Sequence, residues 1–208
     1  GVAPFKPTTG KQTEVGLKYQ PMDNTLMSVA AYDLRQTNVP TYNSAEGWFE
    51  NAGEIRSKGL EAEIHSTLWD SWNIIASYTY TDAEVTSTTV AGVKGKTPQR
   101  VPEHMASAFT SYTIPGGPLK SLTAGVGVRY VGTSYGDAKN TFKVASVDLY
   151  DAMLGYDLGE LNGSLKGATV QFNVNNLANT KYVASCASDT ACFYGVGRTL
   201  TATVNYSW

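Results

Sequence analysis

The sequence predicts an all-β fold, an antiparallel transmembrane β-barrel wall, and three observations predict it. Alternation with a period of two recurs from end to end, charge is scarce, and the gaps between alternating segments are by turns long and short. The last segment states the pattern most cleanly. In residues 198–208, Leu200, Ala202, Val204, Tyr206 and Trp208 fall on one face, and Thr199, Thr201, Thr203, Asn205 and Ser207 on the other. A strand sends successive side chains to opposite faces, so such a segment separates an apolar medium from a polar one. Charged residues make up 16% of the chain, against about a quarter in soluble domains, and Tyr (13) and Gly (20) are abundant. No apolar run reaches the roughly 18 residues of a membrane-spanning helix, which excludes a helical membrane protein. A net charge of -2 argues against a nucleic-acid surface. The start, Gly-Val-Ala-Pro, holds no basic or apolar leader pattern, so a leader is expected to have been removed or to lie outside this chain.

The remaining strands follow in order. Residues 13–20 set Val15, Leu17 and Tyr19 against Glu14, Gly16 and Lys18, and Pro21-Met-Asp-Asn-Thr reads as a turn. Residues 26–37 place Ala30, Tyr32 and Leu34 opposite Asp33 and Arg35, after which 38–53 read as a long polar and aromatic loop. Leu60, Ala62, Ile64 and Leu68 alternate with Glu61, Glu63, His65 and Thr67; Trp69-Asp70-Ser71 turns the chain; Trp72, Ile74, Ala76, Tyr78 and Tyr80 carry the pattern back. Residues 83–101 form a second long loop. The strand at 105–114 has two readings, because Phe109 and Tyr112 fall on opposite faces.

Past the Pro115-Gly-Gly-Pro turn, Leu122, Ala124, Val126, Val128 and Tyr130 alternate with Thr123, Gly125, Gly127 and Arg129. Gly125 and Gly127, inside a strand and on its polar face, leave room for close packing. A third long gap, 132–143, precedes a strand at 144–157 carrying Tyr150, Ala152, Leu154 and Tyr156 opposite Asp151 and Met153. A turn at 159–167 leads to Ala168, Val170, Phe172 and Val174, and the last loop, 176–197, holds both cysteines. Cys186 and Cys192 have no histidine near them in sequence, so a local disulfide formed in an oxidising compartment is preferred to zinc ligation, with two free thiols as the alternative.

The nine segments therefore read as a wall between lipid and a polar lumen, with short turns on the periplasmic side and long loops outside. Single-chain bacterial barrels have even strand numbers, so nine strands imply part of a larger barrel. A soluble β-sandwich adhesion module and a non-specific porin-type barrel are the alternatives. Glu61, Glu63 and His65 share one side of a strand where metal binding or acid–base chemistry is conceivable; hydrogen bonding along a lumen wall is the better account. No nucleophile elbow, phosphate loop or zinc spacing is present, and an enzyme is not expected.

Four segments carry a resemblance: Asn51-Ala-Gly-Glu-Ile-Arg-Ser-Lys-Gly-Leu-Glu61, Tyr78-Thr-Tyr-Thr-Asp-Ala-Glu84, Val101-Pro-Glu-His104 and Asn173-Val-Asn-Asn-Leu-Ala-Asn-Thr-Lys-Tyr182. In order and spacing they resemble the C-terminal barrel half of TonB-dependent outer-membrane receptors. Tyr182-Val-Ala-Ser-Cys186, Cys192 and the aromatic-Gly after it resemble the last extracellular loop of the ferric-hydroxamate receptors, of ferrichrome and ferrioxamine type. The resemblance implies that residues 1–208 are the last nine strands of a barrel of about 22, with an N-terminal plug and the first strands outside this chain. It implies a multi-pass protein of the Gram-negative outer membrane that binds and imports a ferric siderophore, driven by TonB acting on the absent N-terminal region. Iron would travel as cargo inside the siderophore, with no cofactor bound by the protein itself. Phages and bacteriocins exploit receptors of this family. The resemblance also makes Tyr206 and Trp208 the signal read by the outer-membrane assembly machinery.

A hydroxamate siderophore supplies its own oxygen ligands to iron, so the protein reads its outer surface with aromatics and a few polar groups. Phe193 and Tyr194 after Cys192, and Trp48 and Phe49 in the first long loop, are the candidates. Related receptors can carry an aromatic directly after the first loop cysteine; this chain has Ala187.

Overall fold

The computed structural model describes residues 6–43 and 48–208, with side chains described except at 41–43 and 48–52. Nine long strands form one antiparallel sheet: β1 (Thr9–Met22), β2 (Thr25–Asn43), β3 (Trp48–Leu68), β4 (Trp72–Ser87), β5 (His104–Thr113), β6 (Thr123–Val131), β9 (Val147–Asp157), β10 (Ala168–Asn175) and β13 (Thr199–Tyr206). Each pairs with its neighbour in sequence along this set. Two small hairpins, β7 (Ser134–Tyr135) with β8 (Lys143–Val144) and β11 (Val183–Ser188) with β12 (Ala191–Tyr194), lie inside the third and fourth long gaps. They account for chain that has no long alternating pattern.

Cross-strand register lines the apolar residues up on one face. One row runs Leu17, Val29, Ala62, Tyr78, Ala106 and Tyr130; another runs Ala124, Leu154, Phe172 and Ala202. The opposite face carries rows such as Lys18, Ser28, Glu63, Ser77, Ser107 and Arg129. Leu17, Val126, Leu200 and Val204 are each at least 60% exposed, as a face that meets acyl chains must be. Aromatics edge this band. Tyr78, Tyr80, Tyr130 and Tyr150 stand at the end nearer the long loops, where the Tyr78 hydroxyl lies 2.8 Å from His104 Nδ1, and Trp72, Tyr112, Tyr156 and Tyr206 stand at the end nearer the short turns. A dip of about 390 Å³ on this face, between Trp72, Tyr112, Ala124 and Val126, reflects the small side chains at its floor.

Strand β2 corrects the sequence reading. Its register places Met27, Val29 and Ala31 with Tyr19, Leu17 and Val15 on the lipid face, so Ala30, Tyr32 and Leu34 point to the lumen. The cause is that β2 and β3, at 19 and 21 residues, exceed the roughly 9–11 that cross a bilayer. Above the aromatic edge the outer face turns charged: Lys11, Arg35, Arg56 and Glu84 form one row, Thr13, Asp33, Lys58 and Asp82 the next, and Arg56 Nε donates to Asp33 Oδ1 at 2.9 Å. Apolar Tyr32 is inside because it covers Gly59, where an added Cβ would come within 2.6 Å of its ring.

The undecided strand β5 resolves in the same way. Tyr112 faces lipid beside Trp72 and Ala124, and Phe109 faces the lumen opposite Ile75 and Gly127. Its ring fills the space left by two glycines: a Cβ on Gly125 would sit 2.7 Å from Phe109 Cζ, and one on Gly127 2.8 Å from Phe109 Cδ2. The short turns gather at one end. Trp69 and Asp70 turn the β3–β4 connection with φ of 49° and 56°, and two 3-10 turns, Leu158–Glu160 and Gly163–Leu165, make the link from β9 to β10.

Candidate functional site

At the opposite end, three long loops fold together over the lumen side of β3 and β4. Residues 88–103 turn back onto β4, where Val85 donates to the Lys96 carbonyl and Gly95 to the Val85 carbonyl, both at 2.9 Å. Gly92 and Gly95 permit this with φ of 78° and 79°, a region that side chains disfavour. Val93 is thereby buried, 4% exposed. Residues 132–146 are shaped by β7 and β8 and by Asp137, whose Oδ1 accepts from Thr141 N at 2.7 Å and whose Oδ2 accepts from Lys139 N at 3.3 Å. Desolvation pushes the Asp137 pKa up, but the backbone and hydroxyl donors of Thr141 and the backbone N–H of Lys139 and Phe142 outweigh it and hold the carboxyl below its ordinary value.

The fourth loop rises from Asn176, which is 2% exposed and fully used. Its Nδ2 donates to the carbonyls of Thr180 (2.9 Å) and Val196 (3.2 Å), its Oδ1 accepts from Thr180 N (2.8 Å), and its backbone N donates to Asp151 Oδ1 (2.9 Å). Asp151 in turn accepts two bonds from Arg129, at 2.6 and 2.9 Å. The loop root is thus riveted to β6 and β9 through a bidentate carboxylate. Above the root, β11 and β12 pair, and Cys186 and Cys192, opposite in register, are disulfide-bonded.

Between these loops and the strand tops lies an open cavity of about 560 Å³. Ile55 and Val85, paired in register on the lumen face, make its floor; Val93 and Pro98 of loop 88–103, Ala138 and Ala187 make its sides. Gln99 and Thr88 supply its polar groups, and among the described residues no charged side chain lines it. Such a surface takes an uncharged, partly apolar ligand held by a few hydrogen bonds.

The candidate residues meet different fates. Phe193 and Tyr194 lie on β12 and are 59% and 80% exposed, outside the cavity lining. The backbone at Trp48 and Phe49 opens β3, paired with Asn43 and Tyr42, and their side chains lie outside the described ones. Ala187, singled out for the small side chain after Cys186, is part of the cavity wall. Tyr206 packs near Trp208 at the short-turn end, with ring centroids 6.4 Å apart, and Trp208 is fully exposed. Glu61, Glu63 and His65 all face the lumen among Ser28, Ser77 and Thr79, and no group of three or more potential metal ligands occurs among the described residues. The cavity residues and the Asn176–Asp151 rivet escaped sequence reasoning because loops carry no periodicity. The asparagines were the available signal: Asn140, Asn176 and Asn179 all take a left-handed φ, which Asn tolerates better than most side chains.

Known proteins agree with this architecture. The family model of the TonB dependent receptor-like β-barrel matches residues 1–177. The chain is 45% identical over 204 residues to the ferrichrome outer membrane transporter/phage receptor of Escherichia coli K12, covering 97% of this chain and 27% of that protein. Identity to the ferrioxamine receptor of Yersinia enterocolitica is 41% over 205 residues, covering 98% of this chain and 28% of that protein. The chain therefore spans little more than a quarter of the length of these curated relatives. Among solved structures, the siderophore receptor PiuA from Acinetobacter baumannii superposes with a TM-score of 0.76 at 28% identity, over 95% of this chain and 28% of that one. The ferric-catecholate import receptor Fiu of E. coli K12 does so at 0.73 and 25%, over 97% and 28%. These relatives are transport receptors rather than enzymes, and their barrels stand in the outer membrane of Gram-negative bacteria. An apolar band edged by aromatics, a polar lumen face, loops gathered at one end and a match over most of its length lead to one conclusion: the chain belongs to the TonB-dependent receptor β-barrel family.

Proposed function

We propose that residues 1–208 are the C-terminal part of the barrel domain of a ferric-siderophore receptor, and that the whole protein imports a hydroxamate-type ferric complex with energy delivered by TonB. The carrying observation is the 45% and 41% identity to ferrichrome and ferrioxamine receptors over nearly the whole chain. The absence of charge among the described residues that line the cavity agrees with it. A hydroxamate siderophore already surrounds its iron with oxygen, so the receptor contributes apolar walls and hydrogen bonds, and iron remains cargo. In this reading Phe193 and Tyr194, exposed on β12 of the disulfide hairpin, meet the incoming complex first, with Trp48 and Phe49 as the aromatics of the neighbouring rim, and the same exposed hairpin is the surface a phage or bacteriocin would touch. TonB acts through the N-terminal region of the longer protein. Tyr206 and Trp208 are the aromatic end by which the barrel is recognised during assembly.

The test is complementation. The full-length gene product, expressed in a Gram-negative strain without hydroxamate receptors, is expected to restore growth on ferrichrome or ferrioxamine B as sole iron source, and only when TonB is intact. An ion-conducting pore in planar bilayers without energy coupling, or growth on neither complex, would overturn the reading in favour of a porin-type barrel or another ligand.

A further inference from the structure

The cavity is walled by three separate loops, and one residue touches all of them. Arg100 belongs to loop 88–103 and holds a left-handed φ of 66°. Its backbone N donates to the Tyr135 carbonyl at 2.9 Å, in the loop of residues 132–146. Its side-chain Nε donates to the Cys186 carbonyl at 2.8 Å, in the disulfide hairpin 86 residues away. A second pair of bonds locks the first two loops together: Thr97 N donates to Asn140 Oδ1 at 2.9 Å, and Asn140 Nδ2 to the Thr97 carbonyl at 2.8 Å. Cys186 is 2% exposed whereas Cys192 lies open to solvent, so the hairpin is seated by the cysteine whose carbonyl Arg100 holds.

We infer that Arg100 is a positioning residue that tethers the disulfide hairpin over the cavity and joins the three loops into one cap. This rests on the siderophore reading for the identity of the ligand, though not for the tether itself. The disulfide fixes the hairpin's internal shape and Asn176 fixes its root; neither holds the hairpin at Ala187 against the cavity that Pro98 and Ala138 also line. Arginine suits the task because a guanidinium N–H on a carbonyl is a charge-assisted bond aimed by a planar group, which a lysine ammonium does not reproduce. A cap assembled before the ligand arrives leaves less ordering to be done on binding, so its loss appears as weaker affinity.

Hydrogen exchange of the full-length receptor in detergent tests this without ligand. Arg100→Ala is expected to speed exchange in residues 183–194 about tenfold, the size expected for losing one charge-assisted hydrogen bond, with β9, β10 and β13 unchanged. Asn140→Ala is expected to speed exchange in 132–146 and also in the hairpin, because it loosens the segment from which Arg100 reaches. Hairpin exchange within twofold of wild type in Arg100→Ala, or a response to Asn140→Ala confined to 132–146, would overturn the tether. On the same samples, Arg100→Ala is expected to weaken ferrichrome or ferrioxamine B binding about fivefold, and unchanged affinity would overturn its positioning role. Failure of the wild-type receptor to bind either complex would instead sink the siderophore reading and leave the exchange result standing.

Discussion

Single residues decide which side of this wall is filled. Gly125 and Gly127 are small because Phe109 lies across them on the lumen face, and Gly59 is small because Tyr32 does the same. An aromatic ring over a strand glycine restores contact area that the missing side chain gives up. Gly125→Ala is therefore expected to destabilise the folded receptor by about 1–3 kcal/mol through overpacking. Removing the ring relieves the clash, so Gly125→Ala with Phe109→Ala should cost clearly less than the two single changes added together. Urea titration of the four proteins in detergent measures the coupling; strictly additive costs would mean that the ring and the glycine are not in contact. The glycines' need for close packing was legible in the sequence, but not its partner. Phe109 offered two faces to a period-two reading, and only register against β6 chose between them.

At the scale of the strand, alternation identified nine elements and the lipid face of most of them, β5 apart, where Phe109 and Tyr112 left two readings. It failed in β2, where the apolar residues of the upper half, Tyr32 and Leu34, face inward and the outer face carries Asp33 and Arg35. Pattern reading assumes one medium on each side for the whole strand; a strand that outgrows the membrane meets water on both sides, and the rule loses its basis. Inside the bilayer it should hold residue by residue. In β10, Phe172 pairs with Leu154 and Ala202 on the lipid face, and Asn173 beside it faces the lumen with Thr201. Phe172→Arg is expected to cost about 2–4 kcal/mol if it stands near the midplane, and Asn173→Arg far less, since charge on a lipid face must be desolvated whereas a lumen residue keeps its water. Chemical unfolding of the receptor in lipid vesicles distinguishes them, and equal costs would mean that the faces are assigned the wrong way round.

At the scale of the whole molecule, the described residues form no packed core. Among the described residues the buried apolar side chains are few and scattered, and Val15, Leu17, Leu200, Val204 and Tyr206 stand exposed on the two outermost strands. The sheet is also open. Strand β1 pairs with β2 and β13 with β10, and among the described residues neither has a second neighbour. Unpaired N–H and C=O groups along a strand are tolerated at a water-facing edge but not in hydrocarbon, where each costs several kcal/mol. An odd set of nine strands with two apolar edges is therefore stable in a membrane only when further strands close it, which agrees with a chain that spans about 27% of its ferrichrome relative. Expressed without the remaining strands, this 208-residue chain is expected to stay protease-sensitive in detergent, with no electrophoretic shift between heated and unheated samples. The full-length product is expected to resist protease and to show the shift of a closed barrel. A protease-resistant, heat-modifiable 208-residue chain would mean that β1 and β13 find each other or a second copy, and that these nine strands carry a closure rule of their own.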